Sequence, residues 1–119
     1  MRRLLVVDDD PAFREYVERV AEEIGYTVCA VGDGRDVPDA CRTFRPDVIL
    51  IDMVLPGQDG IEVVRKLAAE ATEARIVLVS GHSATYLNAA RAIASAFGVE
   101  SVQTAEKPLG LSVLRAMLA

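Results

Sequence analysis

The chain has 119 residues, of which 51% are hydrophobic and 26% charged, and its formal net charge is −5. This length suits one domain with its own core, and the composition is that of a globular rather than a disordered protein. The negative charge disfavours nonspecific binding to nucleic acid or to an anionic membrane by this chain alone, and the apolar runs are too short to cross a bilayer.

The N-terminus and the cysteines indicate the cellular compartment. Met1-Arg2-Arg3 is followed by an apolar stretch that ends at Asp8, which is too short for a secretory signal. Cys29 and Cys41 are too few for a disulfide framework, and the sequence has no C-x-x-C motif. We therefore expect a cytoplasmic protein with two free thiols that forms a single domain over residues 1–119.

The first half of the chain predicts two strand–helix units. Leu4–Val7 is a short aliphatic run typical of a buried strand. Asp10-Pro11 marks a helix start, because a carboxylate caps the first turn and proline lacks only an N–H that would be unpaired there. This helix has an apolar face and ends at Gly25. A strand over Thr27–Val31 and a short helix over Asp36–Phe44 follow.

The second half continues the alternation. Asp47–Asp52 is predicted as the third strand, residues 55–60 as a loop, and the segment from Ile61 to Ala71 as a helix with one apolar face. Asp59 is expected to cap that helix, and Gly60 to supply a permissive backbone. The remaining elements are a strand over Arg75–Ser80, a helix over Ala84–Phe97, a strand over Val99–Ala105 and a last helix marked by Leu111, Leu114 and Leu118.

Five strands that alternate with five helices predict right-handed βαβ units and a parallel sheet covered by helices on both faces. The first, third and fourth strands are almost continuously aliphatic, as central strands are, whereas the second and fifth carry polar residues, as edge strands do. We therefore predict a doubly wound, flavodoxin-like (βα)5 fold of the α/β class with the strand order 2-1-3-4-5.

In a sheet of this kind, the functional site lies beyond the carboxyl ends of the strands. The residues at those ends are Asp8, Asp9, Asp52, Ser80 and Lys107. Carboxylates on neighbouring strands repel each other, and a hard cation such as Mg²⁺ is their natural partner. Taken singly, each residue has an ordinary interpretation as a helix cap, a strand end, a turn or, for Lys107, a surface lysine before a helix start. Together they favour phosphoryl transfer to an aspartate.

With these residues identified, the sequence resembles the receiver domain of two-component response regulators over its whole length. The resemblance is carried by residues 4–9 (LLVVDD), 48–52 (VILID), 55–60 (LPGQDG), 79–81 (VSG) and 106–108 (EKP). It implies that Asp52 is the phosphoacceptor, that Asp9 and Asp52 bind Mg²⁺ directly, and that Asp8 acts through water.

The resemblance also implies roles for residues around the acceptor. The backbone carbonyl of Val54 would be a further metal ligand, and the Ser80 hydroxyl would move toward the phosphoryl group. Lys107 would contact the phosphate and would precede a cis peptide bond to Pro108. Phosphorylation would then shift a surface near the fourth helix, the fifth strand and the fifth helix.

The implied partners are a sensor histidine kinase or a histidine phosphotransfer protein as the donor, and an unknown downstream protein as the target. The domain would not be an enzyme beyond slow self-dephosphorylation. One alternative is an interaction module of the same fold that works without phosphorylation. Another is a phosphatase or phosphotransferase, which would need an acid/base carboxylate where Val54 stands. The domain would be either a stand-alone response regulator or the receiver part of a longer one.

Two features depart from the family pattern. Thr104 stands where receiver domains usually carry an aromatic switch residue, and Leu109 where an aromatic often follows the Lys-Pro pair. Tyr86 could take the place of the missing aromatic residue, although packing on the core face of its helix is the ordinary interpretation.

Val54 and His82 flank Asp52 and are candidate modulators of the phosphoryl lifetime. For His82, the alternative is an exposed loop position without a role in the site.

Overall fold

Five parallel strands with helices on both faces form the body of the computed structural model, which describes residues 2–55, 57–70, 73–81, 84–99 and 101–119. In chain order the elements are β1 (Arg2–Val7), α1 (Pro11–Glu23), β2 (Tyr26–Val31), a 3₁₀ turn (Gly34–Asp36), α2 (Val37–Phe44), β3 (Val48–Asp52), β4 (Val54–Leu55), β5 (Gln58–Asp59), α3 (Gly60–Glu70), β6 (Arg75–Ser80), α4 (Ala84–Ala96), β7 (Val102–Glu106) and α5 (Leu111–Leu118).

The strand order of the main sheet is β2-β1-β3-β6-β7. It is the predicted order 2-1-3-4-5, because β4 and β5 form a separate small hairpin. The central strand β3 is buried along its whole length, whereas β2 and β7 are partly exposed, as expected for edge strands. The predicted doubly wound fold is confirmed.

Alternating side chains divide the core into two layers, one on each face of the sheet. Leu5, Ile49 and Ile76 point to the layer that α2, α3 and α4 cover. Leu4, Leu50 and Val77 point to the layer that α1 and α5 cover. Because both faces are filled by aliphatic side chains, the sheet is a rigid platform for the loops at its carboxyl edge.

Both cysteines are free, as predicted, and they pack against the same core layer. Cys41 is buried on α2, and burial raises the pKa of its thiol to about 11. Burial also raises the pKa of the half-buried Cys29. Each thiol is therefore protonated at neutral pH and serves as a small apolar side chain.

Several boundaries differ from the sequence prediction. The predicted loop contains the β4–β5 hairpin, which turns at Gly57 with a φ of 70°. The last strand begins at Val102 instead of Val99, because Val99 is buried in the core and its N–H donates to the Ala94 carbonyl at the end of α4. Asp36 belongs to the 3₁₀ turn before α2. Ala71 lies outside the described residues.

Gly60 opens α3 for a different reason from the predicted one. It does not have a positive φ. Instead, a Cβ built on this residue would overlap the carbonyl oxygen of Met53. The first turn of α3 therefore lies directly against the backbone that follows Asp52, and the close approach requires glycine. The predicted Asp59 cap concerns a side chain outside the described ones.

The end of α5 is fixed to the edge of the sheet. The carbonyl oxygen of Leu118 accepts hydrogen bonds from the Tyr26 hydroxyl at 2.7 Å and from the Arg2 guanidinium at 3.1 Å. The Arg2 guanidinium also lies 4.4 Å from the centroid of the Tyr26 ring. None of the helices in the described part of the chain combines the length and hydropathy needed to span a membrane.

This arrangement makes the Tyr26 hydroxyl a measurable source of stability. Tyr26→Phe should lower the free energy of unfolding by about 1 kcal/mol, because one buried hydrogen bond is lost. The cost stays near this value since Arg2 still donates to the Leu118 carbonyl. Urea unfolding of the two proteins measures the difference, and an unchanged midpoint would contradict the prediction.

Candidate functional site

The residues predicted for the site meet at the carboxyl edge of the sheet. Asp8 follows β1, Asp52 ends β3, Ser80 ends β6 and Lys107 follows β7. Because β1, β3, β6 and β7 run parallel, their ends deliver these side chains to the same edge. The structure therefore brings together the residues that the sequence placed at one site.

Three carboxylates form the acidic part of the site. One oxygen from each of Asp8, Asp9 and Asp52 lies within 4.8 Å of the others. Asp8 is wholly buried and Asp52 is 7% exposed, whereas Asp9 is exposed. Hard oxygen donors that are accessible from one side fit a divalent cation that keeps part of its water shell. The cluster could hold such an ion.

Lys107 bridges two of the carboxylates. Its Nζ lies 2.6 Å from Asp8 Oδ2 and 3.1 Å from Asp52 Oδ2. Burial disfavours the ammonium, but its hydrogen bonds to Asp8 and Asp52 outweigh this effect and raise the pKa of Lys107. For Asp8, burial outweighs the bond from Lys107, and its pKa is raised as well. A single ammonium does not fully neutralise three carboxylates.

Backbone amides orient the same two carboxylates. The Asp10 N–H donates to Asp8 Oδ1 at 2.9 Å, and the Val54 N–H donates to Asp52 Oδ1 at 2.9 Å. Asp10 is also the predicted cap of α1, since its side chain accepts from the Ala12 N–H at 3.0 Å. Each carboxylate thus has one oxygen fixed by an amide and the other bonded to Lys107.

Ser80 and Lys107 are joined through their backbones. Ser80 is wholly buried, and its carbonyl oxygen accepts from the Lys107 N–H at 2.9 Å. Thr104 is half-buried on β7 beside Leu78. The Val54 side chain is exposed. His82 and the Tyr86 side chain lie outside the described part of the chain, so their predicted roles stay predictions.

Three residues of α1 reach the site in ways that the sequence did not indicate. The Phe13 ring centroid lies 4.2 Å from Lys107 Nζ, and the Tyr16 hydroxyl donates to the Leu109 carbonyl at 2.9 Å. Arg14 Nη1 donates to the Asp8 carbonyl at 2.7 Å. The helical spacing predicted an apolar face for α1, but it carried no signal that a ring on this face meets Lys107.

Comparison with known proteins identifies the family. The family model of the response regulator receiver domain matches residues 4–119, and the chain belongs to this family. A response regulator of known structure from Colwellia psychrerythraea is 30% identical, with a TM-score of 0.83 over 98% of this chain and 93% of that one. The chemotaxis response regulator CheY4 of Vibrio cholerae, at 23% identity, shares the fold with a TM-score of 0.84 over 99% of this chain and 96% of that one.

Curated relatives are longer than this chain. The DNA-binding response regulator MtrA of Mycolicibacterium smegmatis is 43% identical over 70 residues, which is 59% of this chain and 31% of MtrA. The matches thus span about a third of the curated relatives. The predicted family and its class of function, the receiver domain of two-component signalling, are confirmed.

Proposed function

We propose that this receiver domain accepts a phosphoryl group on Asp52, in a Mg²⁺-dependent reaction, from a histidine kinase or a histidine phosphotransfer protein. The observation that carries the proposal is the convergence of Asp52 with Asp8, Asp9 and Lys107 in one cluster. An interaction module without this chemistry would have no need to keep three repelling carboxylates together.

The charges of the cluster define the role of each residue. Asp8, Asp9, Asp52 and the Val54 carbonyl would hold Mg²⁺, with Asp8 acting through water. Bound there, the ion would supply positive charge to Asp52 and to the oxygens of an incoming phosphoryl group. The Val54 N–H fixes Asp52 Oδ1, which orients the carboxylate for attack.

Phosphoryl transfer then exchanges one bond for another. A carboxylate oxygen of Asp52 forms a bond to phosphorus while the P–N bond of the donor phosphohistidine breaks. The electron pair of that bond stays on the imidazole nitrogen. Lys107, already bonded to Asp52 Oδ2, would turn its ammonium to a phosphoryl oxygen as charge moves outward.

The response to phosphorylation would start at Ser80 and Lys107. Both would donate to phosphoryl oxygens, which carry about −1.5 to −2 charge. Because the Lys107 N–H is bonded to the Ser80 carbonyl, the two loops would move together. The change would reach the surface of α4, β7 and α5 without an aromatic side chain at Thr104, and a downstream protein would read it.

Incubation with acetyl phosphate and Mg²⁺ tests the proposal. We expect a hydroxylamine-labile adduct on the wild type that is lost in Asp52→Ala and in EDTA. Asp39→Ala, at an exposed carboxylate of α2, should retain the adduct. Intact protein mass spectrometry measures the outcome.

Two outcomes would contradict this proposal. The absence of an adduct on a folded, Mg²⁺-bound protein would favour the phosphorylation-independent module. Continuous release of phosphate from several substrates would favour a phosphatase.

Val54 offers a second test, which concerns self-dephosphorylation. Its apolar side chain is 44% exposed and cannot orient an attacking water. We expect Val54→Asn to shorten the lifetime of the aspartyl phosphate several-fold, since an amide can bind that water, with little effect on folding at an exposed position. An unchanged lifetime would remove the idea that Val54 slows hydrolysis.

A further inference from the structure

We infer that Phe13 is a positioning residue for Lys107, whose ring holds the ammonium over the acidic site of the metal-free protein and so weakens Mg²⁺ binding there. The inference deepens the proposed function and rests on it, because it takes the cluster of Asp8, Asp9 and Asp52 as the metal site. It concerns the Lys107 ammonium, which is paired with Asp8 and Asp52 before Mg²⁺ binds.

The geometry is that of a cation–π contact. Lys107 Nζ lies 4.2 Å from the centroid of the Phe13 ring, well within the range over which the negative face of an aromatic ring attracts an ammonium. The Lys107 side chain is 24% exposed, so the contact is partly shielded from water. The same ammonium is bonded to Asp8 and Asp52, and its position is therefore set by three groups at once.

A second contact from α1 supports the first. Tyr16, three residues after Phe13, donates its hydroxyl to the carbonyl of Leu109 at 2.9 Å. The two rings are neighbours, with centroids 6.3 Å apart. Helix α1 thus contacts the chain around Lys107 at two points. The Phe13 ring contacts the Lys107 ammonium, and the Tyr16 hydroxyl donates to the carbonyl of Leu109, two residues later.

Competition for oxygen atoms links this contact to metal binding. Lys107 is bonded to Oδ2 of both Asp8 and Asp52, and these are two of the three carboxylates that would surround the metal. A divalent ion at the cluster must displace or repel the ammonium. Any contact that stabilises the ammonium in its present place therefore raises the Mg²⁺ concentration needed to fill the site. An aliphatic side chain of similar size would lack the negative face and would not have this effect.

Fluorinated phenylalanines at position 13 test the inference in the full chain. Successive fluorines weaken the negative face of the ring and change its shape little. We expect the Kd of Mg²⁺, measured by calorimetry, to fall stepwise along the series and to reach about one third of the wild-type value with three fluorines, the range of a partly exposed cation–π contact. The same series at Phe97, an exposed ring whose centroid is 6.0 Å from Arg65, should leave the Kd unchanged.

A second background shows whether the ring acts through Lys107. In Lys107→Met the Phe13 series should leave the Mg²⁺ Kd constant, whereas a purely structural role of the ring would leave the trend in place. The ring-current shift of the Lys107 ε-methylene protons in metal-free protein gives a readout that needs neither metal nor phosphate. It should shrink when Phe13 is replaced by leucine.

The possible results separate this inference from the proposed function. A flat Kd series at position 13, or a trend that persists in Lys107→Met, would overturn the role of Phe13 even if acetyl phosphate forms the adduct. A stepwise series that vanishes in Lys107→Met supports the role of Phe13 even if no adduct forms, and the failure would then lie with phosphoryl transfer.

Discussion

Lys107→Met should lower the free energy of unfolding of the metal-free protein by about 3 kcal/mol, the lower end of the cost of removing one partner from a buried ion pair. The reason is that Asp8 is wholly buried and loses the ammonium bonded to its Oδ2. The lower end applies because the Lys107 side chain is 24% exposed, so water already screens part of the pair. The same variant should bind Mg²⁺ more tightly, since the competing ammonium is gone.

Urea unfolding in EDTA and in excess Mg²⁺ measures both effects. We expect the variant to be strongly destabilised in EDTA and to recover most of the loss in Mg²⁺, because the ion takes over the neutralisation of Asp8 and Asp52. Lys66→Met is a matched control, since Lys66 is an exposed lysine on α3. Equal stability of the two variants in EDTA would show that Lys107 does not stabilise the acidic cluster.

Gly60→Ala should also cost about 3 kcal/mol, the upper part of the range for overpacking a close contact. The added methyl group would overlap the Met53 carbonyl oxygen, and a backbone atom has no alternative rotamer to adopt. Relief of the overlap must separate α3 from the chain between Asp52 and Val54. We therefore expect slower phosphorylation by acetyl phosphate as well as a lower urea midpoint.

Gly110→Ala provides the comparison for this variant. Gly110 precedes α5 with a φ of −68°, and a Cβ built on it meets no atom within 4 Å. Gly110 is the N-cap of α5, where alanine caps less well than glycine but also restricts the unfolded chain, so this variant should lose far less stability than Gly60→Ala. A similar loss of stability in both glycine variants would argue against close packing as the cause at Gly60.

The fold and the meeting of the site residues were predictable because two general rules determine them. Aliphatic runs such as Val48–Ile51 lie on central strands, and more polar ones such as Thr27–Val31 lie at the edge. Parallel strands then bring their carboxyl ends to one edge of the sheet, which fixes the neighbourhood of Asp8, Asp52 and Lys107 without any knowledge of side-chain packing.

The features that escaped prediction depend on single contacts between distant segments. The strands Val54–Leu55 and Gln58–Asp59 are too short to show a period of two. The overlap at Gly60 involves a carbonyl on another element, and the burial of Val99 depends on the end of α4. The contact of Phe13 with Lys107 also escaped prediction. A helical period distinguishes the buried face of a helix from the exposed face, but it does not identify the side chain that the buried face meets.

The hydrogen bonds that orient the two buried carboxylates also give the protein internal spectroscopic reporters. The amide protons of Asp10 and Val54 each point at one oxygen of the acidic cluster, Asp10 at Asp8 and Val54 at Asp52. Their resonance frequencies will respond to any change in charge on those oxygens. A heteronuclear spectrum of uniformly labelled protein could therefore follow ion uptake at one carboxylate and acylphosphate formation at the other, without a fluorophore or an added tag.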